Sequence, residues 1–267
     1  MASLHRHTTL HDVDVLVVDN SDSEEEFFQL ATSLNYNFNG FTGLDIKKTP
    51  SNLGLAGGIN FGLKHIRNNE TTSDFLVWIL NPDTKIDNDS LNELIELFNP
   101  SIHSIVGSIV KDYSGDRIIA SHGEFKPKLG HTITRADNII GSRYFYPVGA
   151  SLFTSNSVLI NLGDFDEQYF LYFEELDFTL KGLKVNLKPA IAEKSFVYHA
   201  QGVTTKNKAR GKKNLAMLRF QASGLKKLYA KHFPKLGFGL RLRLLSKAMT
   251  LAIKGEFKGA LIFLNEL

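Results

Sequence analysis

Cysteine is absent from this 267-residue chain. That excludes a disulfide framework, a thiolate metal site and a cysteine nucleophile, and it fits a reducing compartment. No run of about 18 apolar residues occurs, so no membrane-spanning helix is expected. The N-terminal Met1-Ala-Ser-Leu-His-Arg-His lacks the apolar core of a signal peptide, and a cytoplasmic location is the expectation. Charge of one sign is also scarce: 31 Lys and Arg against 28 Asp and Glu leave +3, too little to argue for a nucleic-acid partner. The distribution says more, because basic residues dominate from Lys181 to Arg243 while many acids lie in the first hundred positions. What is present is ordinary for a globular protein, with 43% hydrophobic and 22% charged residues. The length allows one substantial α/β domain, or such a core with a helical appendage.

Val13 to Val18 is an apolar, β-branched run ending in Asp19-Asn20-Ser21, which reads as a buried strand. Ser21 with Glu24, or Ser23 with Glu26, offers a capping box for a following helix. Phe75 to Leu80 and Ser104 to Val110 read as further strands. Between them Ser90 with Glu93 offers another capping box, ahead of an apolar face of Leu91, Leu94, Ile95 and Phe98. Strands alternating with helices predict βαβ units and a mostly parallel sheet. The stretch from about Lys111 to Pro147 gives no clear period. Val148 to Thr154 is strand-like, Glu174 to Leu183 helical, and Phe196 to His199 a strand end. Beyond Asn214 the pattern is helical to the C-terminus.

Four clusters carry candidate chemistry, and their place at strand ends matters because ligands of open α/β sheets bind at the carboxyl edge. Asp19-Asn20-Ser21 could receive a ribose or base, or simply cap the next helix. In Asn52-Leu-Gly54-Leu-Ala-Gly57-Gly58-Ile-Asn60 the glycines permit close backbone approach, and the following helix could face a diphosphate. A plain structural turn explains them equally. Asn81-Pro82-Asp83 sets one carboxylate at a strand tip, able to hold magnesium or manganese together with substrate phosphates, or to make a turn. Glu174, Glu175 and Asp177 follow Phe165-Asp-Glu167 in an aromatic setting of Tyr169, Phe170, Tyr172 and Phe173. Adjacent carboxylates there raise one another's pKa and suit a general base, with an acidic helix start as the alternative. His199 closes a strand as a metal ligand, a base or a core histidine.

In this order and spacing the clusters resemble the family 2 glycosyltransferases, in particular the rhamnosyltransferase-like branch that builds bacterial surface polysaccharides. The matching segments are Val17-Val-Asp-Asn-Ser21, Asn52 to Asn60, Leu80-Asn-Pro-Asp-Thr84, Val148-Gly-Ala150, Gly163-Asp-Phe-Asp-Glu167, Tyr169 to Asp177 and Val197-Tyr-His199, spanning roughly Leu16 to Gly202. The resemblance implies a GT-A fold, Rossmann-like with flanking helices, over 1–205 and a C-terminal helical extension over 206–267. It further implies a nucleotide-diphosphate sugar donor, a saccharide or lipid-linked saccharide acceptor and a divalent metal, Mg or Mn. Asp83 stands at the metal-binding position of the family's Asp-x-Asp motif. Glu174-Glu175 stands where the family carries Glu-Asp, its second member the base, and Glu lengthens the reach there. Asp19 and Asn20 would meet the nucleoside, and Asn52, Gly54, Gly57, Gly58, Asn60 and Asn81 the donor. One departure is marked. Family members begin with a strand and helix before the strand holding Asp19, whereas Ala2 to His7 resembles only the tail of that helix, so the domain reads as N-terminally shortened.

The expected chemistry is inverting single displacement. Glu175 takes the acceptor proton, Asp177 orients Glu175 or the acceptor, and a metal on Asp83 and His199 stabilises the leaving diphosphate. The rival from another class is a non-catalytic sugar- or partner-binding remnant. A sugar nucleotidylyltransferase ranks third, for want of a glycine- and arginine-rich loop. Leu236 to Lys247 mixes basic and apolar residues, and reads either as a helix packed on the core or as peripheral contact with the inner face of the cell membrane.

Overall fold

The computed structural model describes residues 13–38, 43–69, 74–200 and 215–267. The Ala2 to His7 segment and the 205/206 boundary lie outside the described residues. β1 (Val15–Asp19) is the β-branched run anticipated at the start. Of the two capping boxes, Ser23 makes the contact: its Oγ accepts the Glu26 N–H at 3.1 Å, opening α1 (Glu24–Phe38). β2 (Leu44–Lys48) returns parallel to β1, and α2 (Gly54–Asn69) lies against the pair. A Cβ on Gly58 would stand 3.1 Å from Asn20 Nδ2, and one on Gly62 3.1 Å from Val18 Cγ2. Glycine every fourth residue therefore lets the helix sit close on the strand.

β3 (Leu76–Leu80) and the short β4 (Thr84–Ile86) lead into α3 (Ser90–Leu97). The Ser90 capping box does not form. Asp89 is the N-cap without a side-chain bond, while Ser90 Oγ donates to the Phe196 carbonyl and accepts its N–H, tying α3 to the sheet. Ile95, expected on the apolar face, is exposed, whereas Leu94 is fully buried. β5 (His103–Asp112) runs longer than its apolar stretch. The unassigned middle folds as β6 (Ile118–Ala120), β7 (His122–Lys126), β8 (His131–Arg135) and β9 (Phe145–Tyr146). The strand expected from Val148 begins at Ser151, as β10 (Ser151–Ser155), followed by α4 (Asn156–Leu162), α5 (Glu174–Lys184) and β11 (Lys188–His199).

The central sheet has the order β3-β10-β5-β11-β4, with β6 beside β5. It is mixed rather than mostly parallel. β5 and β11 pair parallel, but β10 is antiparallel to both β3 and β5. The cause is the connection: antiparallel ribbons, not a crossover helix, join β5 to β10, so the chain re-enters from the edge it left. The consequence is that β3, β5 and β11 all end at one edge. Because α5 feeds into the start of β11, its own N-terminus lies at that same carboxyl edge.

After the second gap come α6 (Leu215–His232), a 3-10 turn at Pro234–Leu236, α7 (Gly237–Ile253) and α8 (Phe257–Leu264). Leu218, Leu225 and Leu228 of α6 share one core with Phe125, Tyr169 and Leu176, and Leu244 and Phe263 extend it. A separate core joins α2, β3, β5 and β10 through Leu63, Val77, Ile105 and Leu152. At about 1.5–3 kcal/mol for each fully buried large side chain, the shared cluster fixes the C-terminal helices to the α/β layer.

Candidate active site

Four groups of side chains carry the candidate chemistry, the first on β1, which with β2 forms a two-stranded sheet apart from the central one. At the end of β1 the Asp19 carboxylate accepts the N–H and the hydroxyl of Ser21, both at 3.0 Å. Asn20 is a clasp: its Nδ2 donates to the Gly54 carbonyl at 2.7 Å, and its Oδ1 accepts from Leu53 N and Thr49 Oγ1. Gly54 sits at φ 75 and a Cβ there would collide with the Phe170 carbonyl, so only glycine fits.

That loop reads equally as a ligand loop or a structural turn, and the N–H groups of residues 52 to 55 are taken by the chain itself. Asn52 N donates to Asp22, Leu53 N to Asn20, Gly54 N to Asn52 Oδ1 and Leu55 N to the Phe170 carbonyl, at 2.7 to 3.0 Å. Asn60 bonds the Phe165 backbone and Glu167, and Gly57 packs on Leu53. The motif thus builds the joint between α2, β1 and the aromatic loop. A cleft of about 460 Å³ runs beside α2 and includes part of this motif: Leu53, Gly57 and Asn60 line it with Lys64, Arg67 and Glu167. Its charged Arg67 is held by Asp164 in a bidentate pair.

The third group is formed across the sheet. Asp83, just past β3, and His199, the last residue of β11, meet with Oδ1 and Nε2 2.9 Å apart. Asn81 Nδ2 lies 3.5 Å from the same imidazole nitrogen, and Ala200 N donates to the Asp83 carbonyl. Both side chains are partly exposed. One carboxylate oxygen and one imidazole nitrogen suit a divalent ion, and their separation matches neighbouring vertices of an octahedron with bonds of about 2.1 Å, roughly 3 Å apart. Among the described residues no group of three or more His, Asp or Glu side chains converges, so such an ion would draw its remaining ligands from phosphate oxygens and water.

The fourth group opens α5. Tyr172 and Phe173 precede it with φ 74 and 75, two consecutive non-glycine residues in the left-handed region. Such conformations cost about 1–3 kcal/mol each and mark functional turns. Packing holds them: a Cβ on Gly224 of α6 would stand 2.8 Å from the Phe173 ring, the Tyr172 hydroxyl reaches Met217 Sδ, and Phe170 stacks on Phe220. The turn presents Glu174 and Glu175 inward. Glu174 is buried, and the Oε2 atom of each glutamate is buried without a hydrogen-bond partner. Burial pushes both carboxyls well up, and for Glu174 the neighbouring Glu175 charge adds to it. The upward shift expected of adjacent carboxylates is present, with burial the larger cause. Tyr146 of β9 lies close enough for its own hydroxyl to be pushed up by burial and by both glutamates.

Asp177 is not with them. Its buried carboxylate accepts His232 Nε2 at 2.7 Å, Lys231 Nζ at 2.9 Å and the Tyr169 hydroxyl at 3.4 Å. Burial alone would raise it, but those donors outweigh burial and hold it below the usual carboxylate value. Rather than orienting Glu175, it binds α5 to α6. Sequence reasoning missed Tyr146, because its two-residue strand lies in the stretch without a period. It also missed a buried cluster on β7, where the Glu124 carboxylate accepts Gly141 N and Arg135 Nε beside His122.

An α/β sheet with acids gathered at its carboxyl edge, backed by C-terminal helices, defines the class as the GT-A fold, and solved structures share it. A mannosyltransferase, PcManGT from Pyrobaculum calidifontis in complex with GDP-Man and Mn2+, superposes with a TM-score of 0.58 at 15% identity, over 99% of this chain and 68% of that one. GalNAc-T7 with UDP, GalNAc and Mn2+ gives 0.55 at 11% identity over 74% of this chain and 39% of that one. TarS 1-349 of S. aureus gives 0.50 at 16% over 97% and 75%. The chain belongs to glycosyl transferase family 2, whose model matches residues 1–179. Among its relatives, the low-salt glycan biosynthesis hexosyltransferase Agl10 of Haloferax volcanii is 26% identical over 145 residues, 51% of this chain. The match spans 45% of that protein's length.

Proposed function

We propose that the chain transfers a hexose from a nucleotide-diphosphate sugar to a hydroxyl of a saccharide or lipid-linked saccharide, with inversion at the anomeric carbon. The observation that carries this reading is the placement, at one sheet edge, of the Asp83–His199 pair and of Glu174 and Glu175, each of which has a buried Oε2 atom without a hydrogen-bond partner. The nucleotide lies along the ends of β1 and β3, between Asp19 and Asn81. The Asn52–Asn60 segment shapes that wall by packing rather than by N–H donation. Asp83 and His199 would hold Mg or Mn, which when bound neutralises charge on the departing diphosphate. Glu175 receives the proton of the acceptor hydroxyl as that oxygen attacks. Its proton affinity, raised by burial, makes it a competent base near neutrality. Glu174 stays protonated beside it, its carboxyl raised by burial and by the Glu175 charge.

The hexose assignment is supported by the hexosyl- and mannosyltransferase likenesses, and the motif order makes a rhamnosyl donor for cell-envelope polysaccharide the first to try. A thermal-shift screen of nucleotide sugars with and without Mn2+ tests the reading. One donor should raise Tm only with the ion present, since a ligand bound to the folded state alone must stabilise it, and Asp83→Ala should remove that rise. If no donor stabilises the protein in an ion-dependent way, the reading fails. Stabilisation without product from any acceptor would leave only a binding role.

A further inference from the structure

The C-terminal helices turn one face to the core and leave another bare. On α7, Leu244, Ala248 and Leu251 are buried, whereas Phe238, Leu242, Leu245, Met249 and Ile253 are exposed, Phe238 by 78% and Ile253 by 84%. Recurring every three or four residues, these five form one apolar row about 22 Å long at 1.5 Å per residue. On α8, which packs against α7, Phe257, Leu261 and Leu264 are exposed in the same rhythm while Ala260 and Phe263 are buried.

Cations line this face. At about 100° per residue, Arg241 projects beside the row on one side. On the other side the β7–β8 turn lies along α7: a Cβ on Gly239 would stand 2.6 Å from the Pro127 and Lys128 carbonyls, and one on Gly130 2.7 Å from Arg243 Cβ. That turn carries Lys126, Lys128 and the exposed Leu129. Among the described residues none of Lys126, Lys128, Arg241 and Arg243 forms an ion pair. The local field is positive: His131 is held below its ordinary value by burial and by Arg243, Lys126 and Lys247. From Phe233 onward the chain has six Lys and Arg against two Glu, and Glu266 is paired with Lys226.

We propose that the exposed row of α7 and α8, with Arg241 on one side and Lys126, Lys128 and Arg243 on the other, is a docking surface for an anionic lipid bilayer. The apolar row enters the boundary between headgroups and acyl chains, and the cations lie on the phosphates. No helix among the described residues is long and apolar enough to cross a membrane, so attachment is in the plane. Charge selects this occupant over a second copy of the chain. A two-fold interface sets the same patch against itself, which would bring unpaired cations toward their own counterparts. The surface lies outside the proposed transfer site, so neither idea depends on the other.

Co-sedimentation of the full chain with phosphatidylcholine vesicles, with and without phosphatidylglycerol, tests it. Binding should appear with phosphatidylglycerol, be weak without it, and fall as salt rises. Phe238→Asp combined with Ile253→Asp should abolish binding, and because both positions are exposed the fold should keep its Tm. Lys128→Ala with Arg241→Ala should weaken binding about 30-fold, at roughly a tenfold loss for each 1.4 kcal/mol and about 1 kcal/mol per cation. Equal binding to both vesicle types, no binding, or F238D/I253D binding like the parent would each overturn the proposal. So would a parent that sediments as a dimer and a doubly substituted chain that sediments as a monomer.

Discussion

Gly54 shows how tightly one backbone position is fixed. Its φ of 75 and the Phe170 carbonyl beside it leave no room for a Cβ. Gly54→Ala should therefore destabilise the protein by about 1–3 kcal/mol, read as a fall in the urea midpoint, because strain and collision add. A midpoint within error of the parent would show that the loop yields freely. Glu174 makes a prediction of opposite sign. Burial raises its carboxyl, so the folded state keeps a proton that the unfolded chain releases near the ordinary glutamate value of about 4.3. Stability contributed by that proton is lost as pH climbs from there through the raised value. Glu174→Gln should hence melt higher than the parent at about pH 8, with the gap closing toward about pH 5. A gap that is constant with pH would mean that Glu174 carries no raised pKa. The reading of the acidic cluster as a base in an aromatic setting came from residue types alone. The division of labour within it did not. Nothing in the spacing of Glu174, Glu175 and Asp177 says that two face the site and the third faces Lys231 and His232, because those partners lie more than fifty residues away.

Elements were legible where the period was strong and local. β1, β3, β5, α5 and the C-terminal helices all fall where apolar runs and helical spacing put them. Three kinds of feature escaped. Strands β6 to β9 are short and bury polar groups such as His122 and Glu124, so they show no apolar period. The orientation of β10 depends on the kind of connection that precedes it. Ser90, a residue with good capping chemistry, is taken by Phe196 across the sheet instead. The joint between α5 and α6 is the element-scale prediction. Asp177 is buried beside His232, with Lys231 closing the cluster. Asp177→Asn removes the buried charge that accepts from His232 and Lys231, although Lys231 keeps Asp166, and should cost about 1.5–3 kcal/mol. The same linkage makes stability fall in acid: since folding lowers the Asp177 carboxyl, its contribution is whole above the ordinary aspartate value of about 3.9 and disappears as pH drops through the lowered one. An Asp177→Asn variant with the parent's Tm at neutral pH would contradict that role.

Over the whole molecule, the central sheet gathers at one edge what the sequence scatters over more than a hundred positions, from Asn81 to His199. Asp83 and His199 are 116 residues apart and become neighbours because β4 pairs with β11, which sets Thr84, the residue after Asp83, opposite His199. The order of motifs carried the family, which the match over residues 1–179 establishes, but the diphosphate loop it implied is occupied by the chain's own hydrogen bonds. On the proposed reading the donor lies toward the Asp83 side of the edge, and the transfer chemistry rests on Glu175. Single-turnover transfer by Glu175→Gln, with donor affinity measured on the same sample, tests this most directly. The account predicts turnover lower by about 100- to 10,000-fold, the usual contribution of a general base, with donor affinity nearly unchanged. Near-parental turnover by Glu175→Gln would contradict it.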